Sequence, residues 1–298
     1  VSDRSWQRSK SFAALRLIMF NARKCRMDQQ TLFAVPLATD RMIAEIDGAI
    51  GWLTFNNPAR RNAVSLDMWE ALGTAVEAFE QNRDVRVIVL RGAGDAAFVS
   101  GADISQFDKL RNSADNVAHY DATSDRSSRK LSECSKPTIA MIQGWCIGGG
   151  VGIAVSCDLR IAADDSKFGV PAARLGLGYG PTGVKKLLDL VGPAFTKEIF
   201  FTARHFTADE AKGMGLVNRV VPKADLESFV RDYCATIAQN APLTIHALKR
   251  TVTELGRSSP EADIALCDTL VKECFASADY VEGRTAFMEK RKPVFTGK

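Results

Sequence analysis

Two short β-prone runs, Arg41–Ile46 and Ile50–Phe55, are split by Asp47-Gly48, a pair suited to a tight hairpin turn. Ser65 then stands where a helix cap is expected. Met68, Leu72, Val76 and Phe79 follow at three- and four-residue spacing, which predicts one buried stripe on a helix. Val85–Leu90 is apolar without interruption, as in a strand covered on both faces. Gly92–Gly101 reads as a loop, and the polar residues 103–134 as a helix with a mobile stretch. Pro137–Ile142 is a second buried strand that ends at Gly144. Gly148, Gly149 and Gly150 then open an apolar helix running to about Cys157, and Leu159–Ala162 is a further strand. From Thr182 onward the pattern is helical almost throughout. Strands alternating with helices, followed by a helical tail, predict an α/β core with a helical C-terminal region. No repeat at a fixed period and no low-complexity linker interrupts it.

Composition changes this picture little, but charge changes it more. The chain has 298 residues, 46% hydrophobic and 25% charged, enough to bury a large core. Of 39 Lys/Arg and 35 Asp/Glu, seven and one respectively fall in residues 1–26, so the rest carries 32 against 34. The net charge of +4 therefore belongs to the N-terminal segment, and the body lacks the basic excess a nucleic-acid binder needs. That segment is Arg/Ser-rich and contains the apolar run Leu15–Phe20. It reads either as an organelle-type targeting segment or as an extension upstream of a start at Met27. Neither reading makes it part of the fold. No apolar run reaches the roughly 20 residues that span a bilayer, so no membrane partner is expected. Seven cysteines without a C-x-x-C pair argue against a disulfide framework or structural zinc, and for buried, reduced thiols. Three scattered histidines (His119, His205, His246) make a histidine metal site or a Ser-His-Asp triad a poor fit.

The candidate chemistry lies at the three glycines. Bare backbone at a helix start lets a ligand approach N–H groups that have no intrahelical partner, next to the positive end of the helix dipole. Such a place holds a phosphate, a carboxylate or a developing oxyanion. The same glycines also serve close packing of helix on sheet, and the segment alone leaves both readings open. Its spacing is not that of a dinucleotide fingerprint, a P-loop or a nucleophile elbow.

Five segments in register resemble the crotonase superfamily, the enoyl-CoA hydratase/isomerase family. They are Asn57-Pro58 with Arg61-Asn62-Ala63; Phe98–Ile104; Lys136–Gly144 with Gly148-Gly149-Gly150 and Cys157-Asp158; Ala208–Val217 with Val220-Val221; and Glu282-Gly283 with Ala286–Pro293. They span about residues 41–295. The resemblance implies an α/β crotonase (ClpP/crotonase-type) spiral of ββα units with a helical C-terminal trimerisation region. The division it suggests is a basic, partly disordered extension over 1–40, a spiral core over 41–220 and a helical region over 221–298. It implies an acyl-CoA partner, with a coenzyme A thioester as substrate and no permanently bound cofactor. It also implies a homotrimer or hexamer, with Phe195, Ile199, Phe200, Leu226, Phe229 and Val230 in the helices that make subunit contacts. A cytoplasmic location follows, or a mitochondrial one if the extension is a targeting segment.

By position, the thioester carbonyl would sit between the backbone N–H groups of Ala102 and Gly149. Ser100, Ala102 and Ile104 match the loop that meets the bent coenzyme. Phe287 and Lys290 match C-terminal residues that reach the nucleotide, and Arg60 stands near where a basic residue meets a phosphate.

The sequence departs from the family at the acids. Hydratases carry a glutamate two residues after the glycine triplet and another just after an F-G-x-P element. Here Gly152 and Ala172 occupy those places. Isomerases and dehalogenases place a carboxylate slightly later, where this chain has Gly178-Tyr179-Gly180-Pro181. Tyr179 is the group left there, either a packed aromatic or a phenol donor, as in malonyl-type decarboxylases of the superfamily. His119, Asp121, Asp125 and Glu133 are candidates for a relocated acid or base, although a solvated helix face explains them equally. A non-catalytic acyl-CoA binding protein is the competing reading.

Overall fold

The computed structural model describes residues 32–103, 114–257 and 261–298. The extension over residues 1–31, the position of Ile104 and the first part of the expected mobile stretch lie outside the described residues.

The alternation of buried positions is resolved into two sheets. The larger has seven strands in the order β1-β2-β3-β4-β6-β8-β11. These are β1 (Phe33–Val35), β2 (Met42–Asp47), β3 (Ile50–Phe55), β4 (Val87–Gly92), β6 (Thr138–Ile142), β8 (Leu159–Ala163) and β11 (Arg219–Val221). The hairpin at Asp47-Gly48 makes β2 and β3 antiparallel, and every pairing from β3 to β11 is parallel. The smaller sheet runs β10-β9-β7-β5, with β5 (Ala97–Val99), β7 (Trp145–Ile147), β9 (Lys167–Gly169) and β10 (Phe206–Thr207).

The period-2 geometry of a strand explains why the apolar runs are unbroken. Ile88 and Leu90 of β4 enter one cluster with Leu53, Phe55, Ala140 and Ile142, while Val87 and Val89 enter a second with Trp52, Ile139 and Met141. Successive side chains thus point to opposite faces, and both faces are covered. The helix α1 (Leu66–Gln81) buries Met68, Leu72, Val76 and Phe79. Ser65 is its N-cap residue, but the hydroxyl makes no cap bond and donates to the Asp67 carboxylate instead.

The chain then repeats one move. A strand in the large sheet is followed by one in the small sheet and then a helix: β4, β5 and α2 (Ala114–Glu133); β6, β7 and α3 (Gly149–Ala154); β8, β9 and α4 (Pro181–Thr202). This is the ββα spiral. Three corrections to the pattern reading follow. The supposed loop Gly92–Gly101 contains β5, and α3 ends at Ala154 rather than near Cys157. The region after Thr182 is not all helix, because β10 and β11 return to complete both sheets. These strands are two and three residues long, too short for any periodicity to show.

The remaining helices are α5 (Ala208–Gly213), α6 (Leu226–Ala238), α7 (Pro242–Leu255), α8 (Ile264–Ala276) and α9 (Ala278–Glu289). Leu226 and Val230 of α6 and Ile199 of α4 are buried within this chain. They belong to this chain's own core, whereas Phe195 of α4 is exposed. No helix among the described residues is long and apolar enough to cross a membrane.

Candidate functional site: a pair of bare backbone donors

The site is built by parallel neighbours. β5 and β7 run parallel in the small sheet, so the residues after them leave at the same edge. Ser100-Gly101-Ala102 follows one strand and Gly148-Gly149 the other. A Cβ placed on Gly149 would stand 3.8 Å from the Ala102 nitrogen.

Two contacts hold Ala102. A parallel bridge pairs it with Val64: the Val64 N–H donates to Gly101 O at 2.8 Å and the Asp103 N–H to Val64 O at 2.9 Å. In this pattern the bridging residue's own N–H faces away from the partner strand. On the other side the Asn57–Asn62 turn braces the strand exit. Asn62 is fully buried; its amide donates to Ala93 O at 3.0 Å and Ala97 O at 2.8 Å. The Ser100 N–H donates to Arg61 O at 3.1 Å and its hydroxyl to Arg60 O at 3.2 Å. Arg61 and Asn62 both have positive φ, at 51° and 58°, so this turn is strained and held by those bonds.

Two glycines have separate reasons. Gly148 turns the chain with φ +53° and its N–H donates to Gly169 O at 2.8 Å. Gly150 must lack a Cβ, which would come within 2.2 Å of Val99 O. The packing role of the glycines is therefore real at Gly150. Gly149 opens α3, where its N–H has no intrahelical partner.

Gly152, Ala172 and Tyr179 stand at the positions where the sequence resemblance raised the question of an acid or base. Gly152 has nothing within 4 Å of where its Cβ would stand. Ala172 is buried in the 3-10 turn Pro171–Leu175. Neither carries a proton-transfer group. Tyr179 packs edge-on against Phe200, with centroids 5.0 Å apart, and its ring lies against Gly183. Its hydroxyl has no hydrogen-bond partner among the described residues. Burial raises its pKa above the usual phenol value, so it is held as a donor. The residue as a whole is 39% exposed, so the desolvation falls on the packed side of the ring.

The other predicted residues divide. Arg60 lies by the donor loop, exposed, with Nη1 3.8 Å from the buried Asp103 carboxylate. Phe287, 82% exposed, and Lys290 lie at the end of α9. No hydrogen bond or ion pair among the described residues joins them to the donor loop. His119, Asp121 and Asp125 are on the exposed side of α2, and Glu133 pairs with Arg257 at 3.4 Å. Five of the six described cysteines are buried; burial pushes the Cys157 thiol up to about 12, which makes it inert as a nucleophile. No group of three metal-ligating side chains occurs among the described residues.

Sequence reasoning missed Lys186. It is half-buried, its Nζ donates to Ser156 Oγ at 2.8 Å, and Ser156 Oγ donates to Gly152 O at 2.8 Å. A helix-surface lysine gives no signal in one sequence; only packing brings it to α3.

The profile of the enoyl-CoA hydratase/isomerase family matches residues 45–298. The chain is 33% identical to the short-chain-enoyl-CoA hydratase of Clostridium acetobutylicum over 253 residues, covering 85% of this chain and 96% of that protein. It is 34% identical to the crotonyl-CoA hydratase of Syntrophomonas wolfei over 262 residues, covering 88% and 100%. Among solved structures, an enoyl-CoA hydratase/carnithine racemase from Magnetospirillum magneticum superposes with a TM-score of 0.82 at 36% identity, covering 88% of this chain and 97% of that one. A parallel-stranded spiral and a match across most of the chain agree, and the protein belongs to the enoyl-CoA hydratase/isomerase family.

Proposed function

We propose that this protein binds an acyl-CoA thioester and stabilises the enolate oxygen that forms when charge moves into the thioester carbonyl. The observation that supports this reading is the close approach of the backbone at Gly149 to that at Ala102, with the Ala102 nitrogen 3.8 Å from where a Gly149 Cβ would stand, at the edge of the small sheet. Two N–H donors aimed at one oxygen stabilise it most when it becomes an anion. Arg60 and Ser100 flank this loop on the side where the coenzyme would run, and Ile104, Phe287 and Lys290 are the further coenzyme contacts that the family match implies. The relatives are hydratases by name, but Gly152 and Ala172 cannot activate water. General acid–base help is worth about 10²–10⁴-fold per group, so ordinary hydration is expected to be slow.

A second reading is favoured by Tyr179. Decarboxylation of a malonyl-type thioester needs no base: carbon dioxide leaves and the enolate stays with the two donors. A protonated phenol without a partner is then available to donate to the enolate. Calorimetry with acetoacetyl-CoA and with acetoacetate tests binding; equal or absent affinity for both removes the coenzyme A reading. Tyr179→Phe is expected to depress turnover of a malonyl-type thioester by about 10²-fold or more with little change in binding, as for a group used mainly in the transition state. Unchanged turnover would make Tyr179 a packing residue.

A further inference from the structure

Two adjacent lysines on α4 have unlike surroundings. Lys185 points outward and pairs with Asp189 at 2.7 Å. Lys186 turns inward to α3 and is half-buried there. Its one hydrogen-bond partner is neutral, the Ser156 hydroxyl at 2.8 Å. No carboxylate lies within ion-pairing distance of its ammonium among the described residues. Burial draws its pKa below the ordinary lysine value, while Asp125 and Glu133 of α2 oppose that shift and Arg129 adds to it.

The position of that charge matters. Ser156, in the turn just after α3, bonds back to Gly152 O at i−4, so it stands on the face of α3 that carries residue 152. On that face, Gly152 leaves open space where the family places a glutamate. Carboxylates at 152 and 172 would repel an anionic acyl chain. Here both are gone, and a cation stands beside one of the vacated positions.

We propose that Lys186 is a specificity residue, and that this site takes acyl-CoA thioesters whose acyl chain bears its own carboxylate, received by the ammonium beside Gly152 and Ser156. The proposal rests on the acyl-CoA reading above and narrows it to dicarboxylic acyl groups. The carboxylate would pair with the ammonium, which has no anionic partner among the described residues, and the two backbone donors would hold the thioester end. The missing glutamates then have a second consequence besides lost hydration: they make the pocket electrostatically open to an anion.

The test is titration calorimetry with thioester pairs of equal chain length: succinyl-CoA against butyryl-CoA, glutaryl-CoA against valeryl-CoA, and adipyl-CoA against hexanoyl-CoA. The wild-type protein is expected to prefer the carboxylated member of at least one pair by on the order of 10- to 100-fold, the effect of one charge-assisted hydrogen bond. Lys186→Met is expected to abolish that preference while keeping its affinity for the neutral thioester, and Lys186→Arg to retain most of it. Lys186→Gln can still donate to Ser156 without a charge, and it gives the same readout if methionine disturbs the fold. Equal affinity within every pair overturns the proposal, as does a preference that survives both neutral variants. Failure of every thioester to bind overturns the acyl-CoA reading itself, which is a different result.

Discussion

At the scale of single residues, the site is defined by what two positions lack. Gly152 is helical and faces open space, so Gly152→Glu removes a helix glycine without a clash and is expected to raise stability by up to about 1 kcal/mol in denaturant unfolding. Ala172 is buried, so Ala172→Glu must bring a carboxylate into covered surface and is expected to cost about 1–3 kcal/mol. In hydratases both carboxylates act on one water, and residues that act as a unit are non-additive. Neither single variant is therefore expected to hydrate crotonyl-CoA appreciably, whereas the double variant gains rate if the pocket accepts both side chains. Wild-type hydration at about 1–10³ per second, an ordinary enzyme rate, would sink this account and would bring a carboxylate such as Asp121 or Glu133 into the site. The departure from the family was readable in the sequence because it sits inside motifs of fixed spacing. The role of Lys186 was not, because Ser156 and Lys186 are 30 residues apart and meet only when α4 packs on α3.

At the scale of elements, the donor pair depends on how closely α3 approaches β5. The contact is made by backbone: Gly150 lies so near Val99 that a methyl would overlap its carbonyl oxygen. Backbone cannot move aside as a flexible side chain can. Gly150→Ala is thus expected to lower stability by more than about 2 kcal/mol and to weaken thioester binding. Gly178→Ala, in open space, serves as the control with little effect on either. An unaltered melting temperature and affinity in Gly150→Ala would show that α3 is free to shift and that the donor geometry is not fixed by this contact. The longer strands and α1 were legible from apolar spacing. The short strands β5, β7 and β10 were not, since three residues or fewer carry no period and their membership in the small sheet comes from distant partners.

At the scale of the whole molecule, apolar surface is left on the C-terminal helices. Val252 and Leu255 of α7 are 71% and 69% exposed, and Phe275 of α8 and Met288 of α9 are 63% and 76% exposed. Apolar side chains grouped on adjacent helices mark an interaction face. A trimer or hexamer that covers them is the expected state, and light scattering that reads a monomer at micromolar concentration would refute it. The 3.6-residue period locates an apolar stripe on these helices without saying what it faces. Leu226 and Val230 face their own sheet, while Val252 and Leu255 face outward.

The sequence by itself determined the class of fold, the order of its long elements, the glycine segment and the identities of Gly152 and Ala172 where the resemblance expects carboxylates. Those are properties of local period and of motif spacing, which a single chain carries in linear form. The tertiary structure decided the rest: that β5 and β7 end side by side and bring Ala102 to Gly149, that Gly150 is required by a carbonyl 51 residues earlier, and that a surface-type lysine turns inward beside Gly152. Each of these joins residues remote in the chain, and their proximity exists only after the parallel sheet has formed, because parallel pairing must wait for the crossover that separates its strands.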